Sequence, residues 1–364
     1  MTQRRASLSQ LRRLLLGAAI LAACAVLSRA QTAQDEPPPL ATLHVYEGLV
    51  QVPTLVLSDN RLPLKPIPQD RFSMSLDSGP KFQPTHVRLE GDDPIALAIV
   101  LDVTGAEDHL LPTMDAAIAQ LAPRWLHPQD SITIYTLGCT LKRTFLNAPA
   151  DADTMKRGVD HVLQIARLEQ KEKGAECEHT PRTWSALGYV IRELHGTPGR
   201  RVILAVTDGH DKGSDRPWRE LKSLAQQEGV AIFGMTERVI IREPYGGVRV
   251  TAGGRTSEDP FLNVCELSGG MILSTTGAQL PFDLKQFVDL LRGRYIVEFP
   301  LAQHTAPGEH GIMVWVAHTD AFIRPAGVSV RMPDPKLLAD PLSLPNDPQK
   351  EPPMGTRRVL KPSQ

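Results

Sequence analysis

The chain has 364 residues, 41% of them hydrophobic, with 40 Lys and Arg against 41 Asp and Glu and a formal net charge of -1 at pH 7. That length allows roughly two domains of about 100 to 200 residues each and enough apolar material for a real core. The basic residues are scattered, which argues against nucleic acid or an anionic membrane surface as a partner.

The first thirty residues read as a signal peptide (1–30). "MTQRRASLSQLRR" is a basic leader, "LLLGAAILAACAVL" is an apolar stretch too short for a comfortable membrane span, and "SRA" before Gln31 fits a small-x-small cleavage site. The expected location is therefore periplasmic or secreted. An alternative is a lipid anchor: "LAAC" resembles a lipobox, which makes Cys24 the acylated residue and gives the only route to membrane contact. The apolar "AVL" after Cys24 disfavours it. The paired arginines Arg4–Arg5 and Arg12–Arg13 are compatible with twin-arginine export.

Residues 31–42, with "DEPPPL", read as a linker, and 333–364 as a Pro-rich disordered tail. Between 43 and 92, "VPTLVLSD", "RFSMSLD" and "THVRLE" alternate apolar and polar residues between turn formers, as short antiparallel strands do. From 93 to 292 the pattern changes. "PIALAIVLD", "SITIYTL", "RVILAVTD" and "VAIFGMT" are apolar runs suited to strands buried on both faces. They alternate with amphipathic helices at "LLPTMDAAIAQLAPRWL", "ADTMKRGVDHVLQIARL", "TWSALGYVIREL", "DRPWRELKSLAQQEG", "FLNVCELSGG" and "LPFDLKQFVDLLRG". "LKRTFL" reads as a hairpin neighbour of "SITIYTL", and "ERVIIREPYGGVRVTAGG" as a hairpin turning at Tyr245–Gly247. The succession predicts an α/β fold with a doubly wound, mainly parallel sheet. From 293 to 332, "RYIVEFP", "HGIMVWVAH" and "GVSVRMP" return to strands. Neither terminal strand set can bury two faces alone, so one β-sandwich made from both ends, with the α/β domain inserted, is expected; the alternative is that these strands merely flank the α/β sheet or form two small satellites.

In such a sheet ligands bind at the carboxyl ends of the strands. Two strands end there in aspartate, Asp102 and Asp208, a pairing that suits Mg²⁺ or Mn²⁺; the plainer alternative is that each caps its loop. "IVLDVTGA", "TPRTWSALGYVI" and "VILAVTDG" together resemble the metal-dependent adhesion site of von Willebrand factor A domains. The resemblance extends to bacterial VWFA-related proteins of the acidobacterial type through "LVLSDNRLPLKPIPQDRFSMSLDSG" before the domain and "LSGG...L...LRGRYIVEF" after it, from about Val45 to Met332.

The family's first motif, D-x-S-x-S, falls on Asp102, Thr104 and Ala106, so one hydroxyl is lost at Ala106. The second, a threonine before a helix, falls on Pro181 with Thr180 one residue displaced and Thr183 at a later hydroxyl position; Thr180 is either a ligand or the N-cap of that helix. The third falls on Asp208. The resemblance thus implies a degenerate metal site at Asp102, Thr104, Thr180 and Asp208. Glu107, Asp108 and Asp211 either compensate or are solvated loop charges. No cofactor is expected, or at most Mg²⁺ or Mn²⁺ held weakly.

Once the leader is gone Cys139, Cys177 and Cys265 remain, with no zinc-type spacing. Cys139 and Cys177 belong to loops at the carboxyl edge and are candidates for a disulfide; Cys265 is a competing partner, and unpaired thiols are the alternative. "TDGHDKGSD" gathers Asp208, His210, Asp211 and Ser214, which suggests a hydrolase, yet the chain has no G-x-S-x-G, no GxxxxGK[ST] and no GxGxxG after a strand. The expectation is a non-enzymatic protein-binding or assembly module of the cell envelope or extracellular space, acting through its loop rim with weak or no metal dependence and an unidentified protein ligand. The alternative is a metal-dependent hydrolase using Asp102, Asp208 and His210. A purely structural scaffold is a third reading.

Overall fold

The computed structural model describes residues 44–46, 49–64, 66–104, 110–138, 140–171, 182–237, 239–242, 248–251, 259–301, 305–332 and 343–345. The leader with Cys24, the linker, most of the tail, Cys139, Cys177, Ala106, Thr180 and Pro181 lie outside the described residues. A short strand, His44–Tyr46 (β1), pairs with Ser343–Pro345 (β18) in a sheet of its own. The following strands are Leu49–Leu57 (β2), Phe72–Leu76 (β3) and His86–Leu89 (β4).

The α/β region then runs Ile95–Asp102 (β5), Leu111–Ala119 (α1), Leu121–Arg124 (α2), Ser131–Leu137 (β6), Leu141–Pro149 (β7), Ala152–Lys171 (α3) and Thr183–Glu193 (α4). It continues through Arg200–Val206 (β8), Trp218–Glu228 (α5), Val230–Glu237 (β9), Val239–Arg242 (β10), Val248–Thr251 (β11), Pro260–Leu267 (α6), Ile272–Thr275 (β12) and Leu280–Arg292 (α7). The last strands are Tyr295–Pro300 (β13), Gly308–His310 (β14), Ile312–Val316 (β15), Phe322–Pro325 (β16) and Val328–Val330 (β17).

Six strands form one sheet in the order β12-β9-β8-β5-β6-β7. All neighbours are parallel except β6 and β7, the expected hairpin. β5 is buried at every position, and its side chains divide by parity: Leu97, Ile99 and Leu101 join one apolar cluster, Ala96, Ala98 and Val100 the other. α1, α2, α3 and α7 cover the first face, and α4, α5 and α6 the second. Such an arrangement requires strands apolar on both faces, which is why these runs lack alternation.

One local expectation needs correction, and short strands add to those read from sequence. The segment "LLPTMDAAIAQLAPRWL" is not one helix: Ala122 is extended, at φ -97° and ψ 141°, because the ring of the following Pro123 disfavours the helical conformation in the residue before it. β12, at the sheet edge, was not foreseen, because its four residues are too few to show a period. β16 is likewise an additional strand beyond those read from the terminal patterns.

The N- and C-terminal strands pair with each other. β2 lies antiparallel between β13 and β16, β13 also pairs with β4, and β3 pairs with β15. Val52, Val56, Phe72, Met74, Val297 and Val314 share one apolar cluster drawn from both ends of the chain. At the amino edge of the large sheet, buried Arg294 donates to Glu90 through Nε (2.5 Å) and Nη2 (3.0 Å), and Arg200 lies 3.2 Å from the same carboxylate.

Candidate functional site

The sheet's chain order reverses between β5 and β8: the chain runs from β5 to β6 on one side, then returns to place β8 on the other. A crevice opens at the carboxyl ends of two such strands. Asp102 ends β5 and Asp208 follows β8, so both carboxylates foreseen from sequence stand at this point.

Asp102 is 1% exposed. Its Oδ1 accepts from the Thr104 amide (2.9 Å) and the Thr104 hydroxyl (2.7 Å), while Oδ2 accepts from the Thr207 hydroxyl (2.7 Å). Burial raises its pKa above the ordinary carboxylate value of 3.8; the Thr104 and Thr207 hydrogen bonds oppose that rise and the nearby charge of Asp208 adds to it. Thr207, not singled out from sequence, also accepts from the Gly209 amide at 3.1 Å and so links the two strand ends. Its position beside Asp208 in "VTDG" was the available signal.

Asp208 turns toward the next loop. Its Oδ1 accepts from the His210 amide at 2.8 Å, and Oδ2 lies 3.0 Å from His210 Nδ1. Gly209 makes this path possible: its φ is +72°, and a Cβ there would stand 2.3 Å from the Phe261 ring.

The remainder of the loop binds the N-terminus of α4. Thr183 donates its hydroxyl to the His210 carbonyl at 2.8 Å. Asp211 Oδ1 accepts from the Trp184 amide at 3.1 Å, and the Ser214 hydroxyl accepts from the Ser185 amide at 2.9 Å while donating to Asp211 Oδ1 at 2.5 Å. Asp211 and Ser214 therefore satisfy amide groups that a helix leaves open, and they do so from another segment of the chain. The Ser214 hydroxyl proton is given to Asp211, and the His210 side chain is 74% exposed.

No protein-family model matches the chain, and no curated protein matches it. Among solved structures, the chain is similar to a conserved hypothetical protein, BatB, of Bacteroides thetaiotaomicron, at 16% identity and a TM-score of 0.38, covering 53% of this chain and 97% of that one. It is similar to an aerotolerance-related membrane protein of Bacteroides fragilis, at 14% identity and a TM-score of 0.37, covering 54% and 98%. A third similar structure is proximal thread matrix protein 1 of the mussel byssus, with a zinc-occupied MIDAS motif, at 14% identity and a TM-score of 0.40, covering 56% of this chain and 50% of that one.

Whether a cation fits here is a question of donor chemistry. Among the described residues no group of three or more His, Cys, Asp or Glu side chains could hold a metal ion. Asp102 accepts three hydrogen bonds, Asp208 faces His210, and Asp211 is committed to α4. A hard cation wants several oxygen ligands converging on one point. The described carboxylate oxygens instead face amides, hydroxyls and, at Asp208 Oδ2, the His210 ring of the chain itself. Cys265, the third candidate for disulfide pairing, is buried in the apolar cluster of the second face with Phe261 and Val264. Among the described residues, no helix is long and apolar enough to cross a membrane.

Proposed function

We propose that this chain is a non-enzymatic protein-binding or assembly module that works outside the cytoplasm, in the cell envelope or beyond it. Its architecture is read as a von Willebrand factor A-like α/β domain inserted in a β-sandwich made by the two ends of the chain. A partner binds the rim around Asp102, Asp208 and the start of α4, with weak or no dependence on a metal ion. The observation that carries this reading is that both oxygens of Asp102, together with Asp211 and the Ser214 hydroxyl, are hydrogen-bonded within the chain itself. A rim fixed in this way presents one constant shape, which is what a docking surface needs. A serine nucleophile is activated by a base that a third group orients; here the His210 ring lies against Asp208, and Ser214 with Asp211 is engaged by the amides that open α4.

The test is capture of envelope proteins on the mature chain, with and without EDTA, repeated with Asp208→Ala. Retention of the same partner in both buffers, lost on substitution, is the expected result. Calorimetric titration with Mg²⁺, Mn²⁺ and Ca²⁺ provides the opposing arm. Tight uptake that disappears in Asp102→Ala would overturn metal independence and return the metal-dependent hydrolase using Asp102, Asp208 and His210 to first place. A rim variant that keeps every captured protein would favour a passive scaffold.

A further inference from the structure

A cavity of about 230 Å³ lies beside the rim, between the end of β6 with the start of β7 and one face of α4. Its walls are Leu137, Gly138, Leu141, Ala186 and the ring of Tyr189, with Thr140, Ser185 and Arg182 supplying polar atoms. The helical contributors fall at 185, 186 and 189, the spacing of one helix face, and Arg182 at the N-cap joins them. Small residues, Gly138 and Ala186, leave the space, and Tyr189, 48% exposed, stands beside it as a flat apolar wall.

The volume decides the class of occupant. Pockets for cofactors and comparable small molecules hold roughly 300–1,000 Å³. The smaller space here suits one large side chain, the kind of anchor that dominates protein interfaces when it enters a preformed pocket. Charge decides what accompanies the anchor. Arg143, on the neighbouring strand, is neutralised by Glu193. Arg182, the N-cap of α4, is exposed and lines the cavity, and among the described residues its guanidinium has no acidic partner.

We propose that this cavity receives an aromatic side chain of a partner protein, with a carboxylate next to it in the partner's sequence held by Arg182. The ring enters between Leu137, Leu141 and Ala186 and lies against Tyr189. The guanidinium offers paired N–H donors to the carboxylate, a geometry that an ammonium would not supply. The proposal rests on the protein-binding reading for its class of partner, and goes beyond it by placing a contact on the flank of α4 away from Asp102 and Asp208.

The probe is the dipeptide N-acetyl-Asp-Phe-amide, titrated into the intact mature chain with labelled Leu and Ala methyl groups and followed by NMR. The methyl signals of Leu137, Leu141 and Ala186 should shift together. N-acetyl-Asn-Phe-amide and N-acetyl-Asp-Ala-amide should each bind about five- to tenfold more weakly, the scale of one lost charged pair or one lost anchor. Arg182→Glu should weaken the Asp peptide and not the Asn peptide, and Tyr189→Ala should weaken both. Both residues are exposed, so unchanged methyl spectra elsewhere will verify the fold. Equal affinity for the Asp and Asn peptides, or shifts located elsewhere, or none at all, would overturn the proposal. Peptide binding without capture of any envelope protein would sink the rim reading alone; capture without peptide binding would sink the pocket alone.

Discussion

Asp102 and Asp77 depart from the ordinary carboxylate pKa in opposite directions. Asp102 rises because burial penalises its charge more than three hydrogen bonds restore it. Asp77 falls because His310 Nδ1 lies 2.7 Å away and the Gly311 amide donates to it at 2.8 Å. Both His310 ring nitrogens face oxygen acceptors, Asp77 and the Ala306 carbonyl, each at 2.7 Å, a pairing that holds the doubly protonated ring and lifts its pKa above 6.5. The folded chain therefore holds the His310 proton more tightly than the unfolded chain does. This contribution to stability is complete below pH 6.5 and is lost as pH rises through the elevated value. The Asp77 contribution has the other sense: present above pH 3.8, it is lost as pH falls through the lowered value. Urea unfolding should therefore show stability declining as pH rises above 6.5, and His310→Gln should flatten that decline. An unchanged slope in the variant would assign the titration to another group.

At the scale of single elements, the contact between the Asp208–Ser214 loop and α4 carries the clearest consequence. Arg182, at the N-cap of α4, makes no side-chain hydrogen bond to the helix, so Asp211 and Ser214 act in its place. Asp211→Ala should cost roughly 1–2 kcal/mol, the worth of a lost helix cap. Faster amide hydrogen exchange at Trp184 and Ser185, with β8 unchanged, is the measurement that checks it. This contact also marks how far the sequence could be read. Asp102 and Asp208 were visible because each ends an apolar run, and the major strands because burial on both faces removes alternation. The role of Asp211 was not visible, since its partner amide at Trp184 lies 27 residues earlier and only the tertiary fold brings the two together. Thr207 was hidden for the same reason: its hydroxyl reaches Asp102 across 105 residues. β12 and β16, of four residues each, depend on pairing with a neighbour and not on a pattern of their own.

Across the whole molecule, the ionic cluster at the amino edge of the large sheet joins its parts. Glu90 follows β4, Arg200 opens β8, and Arg294 stands between α7 and β13. Arg294 also donates to the Gly269 carbonyl at 2.8 Å, and Arg200 to the Asp93 carbonyl at 2.8 Å. Glu90 is 2% exposed and Arg294 3%, so removing the carboxylate leaves buried positive charge without its counter-ion. Glu90→Ala should lower unfolding stability by roughly 3–5 kcal/mol, readable as a lower denaturant midpoint. A loss below about 1 kcal/mol would mean that water reaches the cluster.

The pairing of β2 with β13 has a consequence in time as well as space. Gln51 donates to Glu298 at 2.9 Å across 247 residues of chain. During synthesis β2 emerges early and must remain without this neighbour until nearly all of the intervening sequence has appeared. Contacts so distant in sequence form slowly, because the loop between them must first close. The large sheet contains all of its own strands within that interval and has no such wait. Refolding should thus proceed in two phases, the central layer first and the terminal strands afterwards, with β2 an open edge, vulnerable to mispairing with other chains, for as long as the second phase lasts.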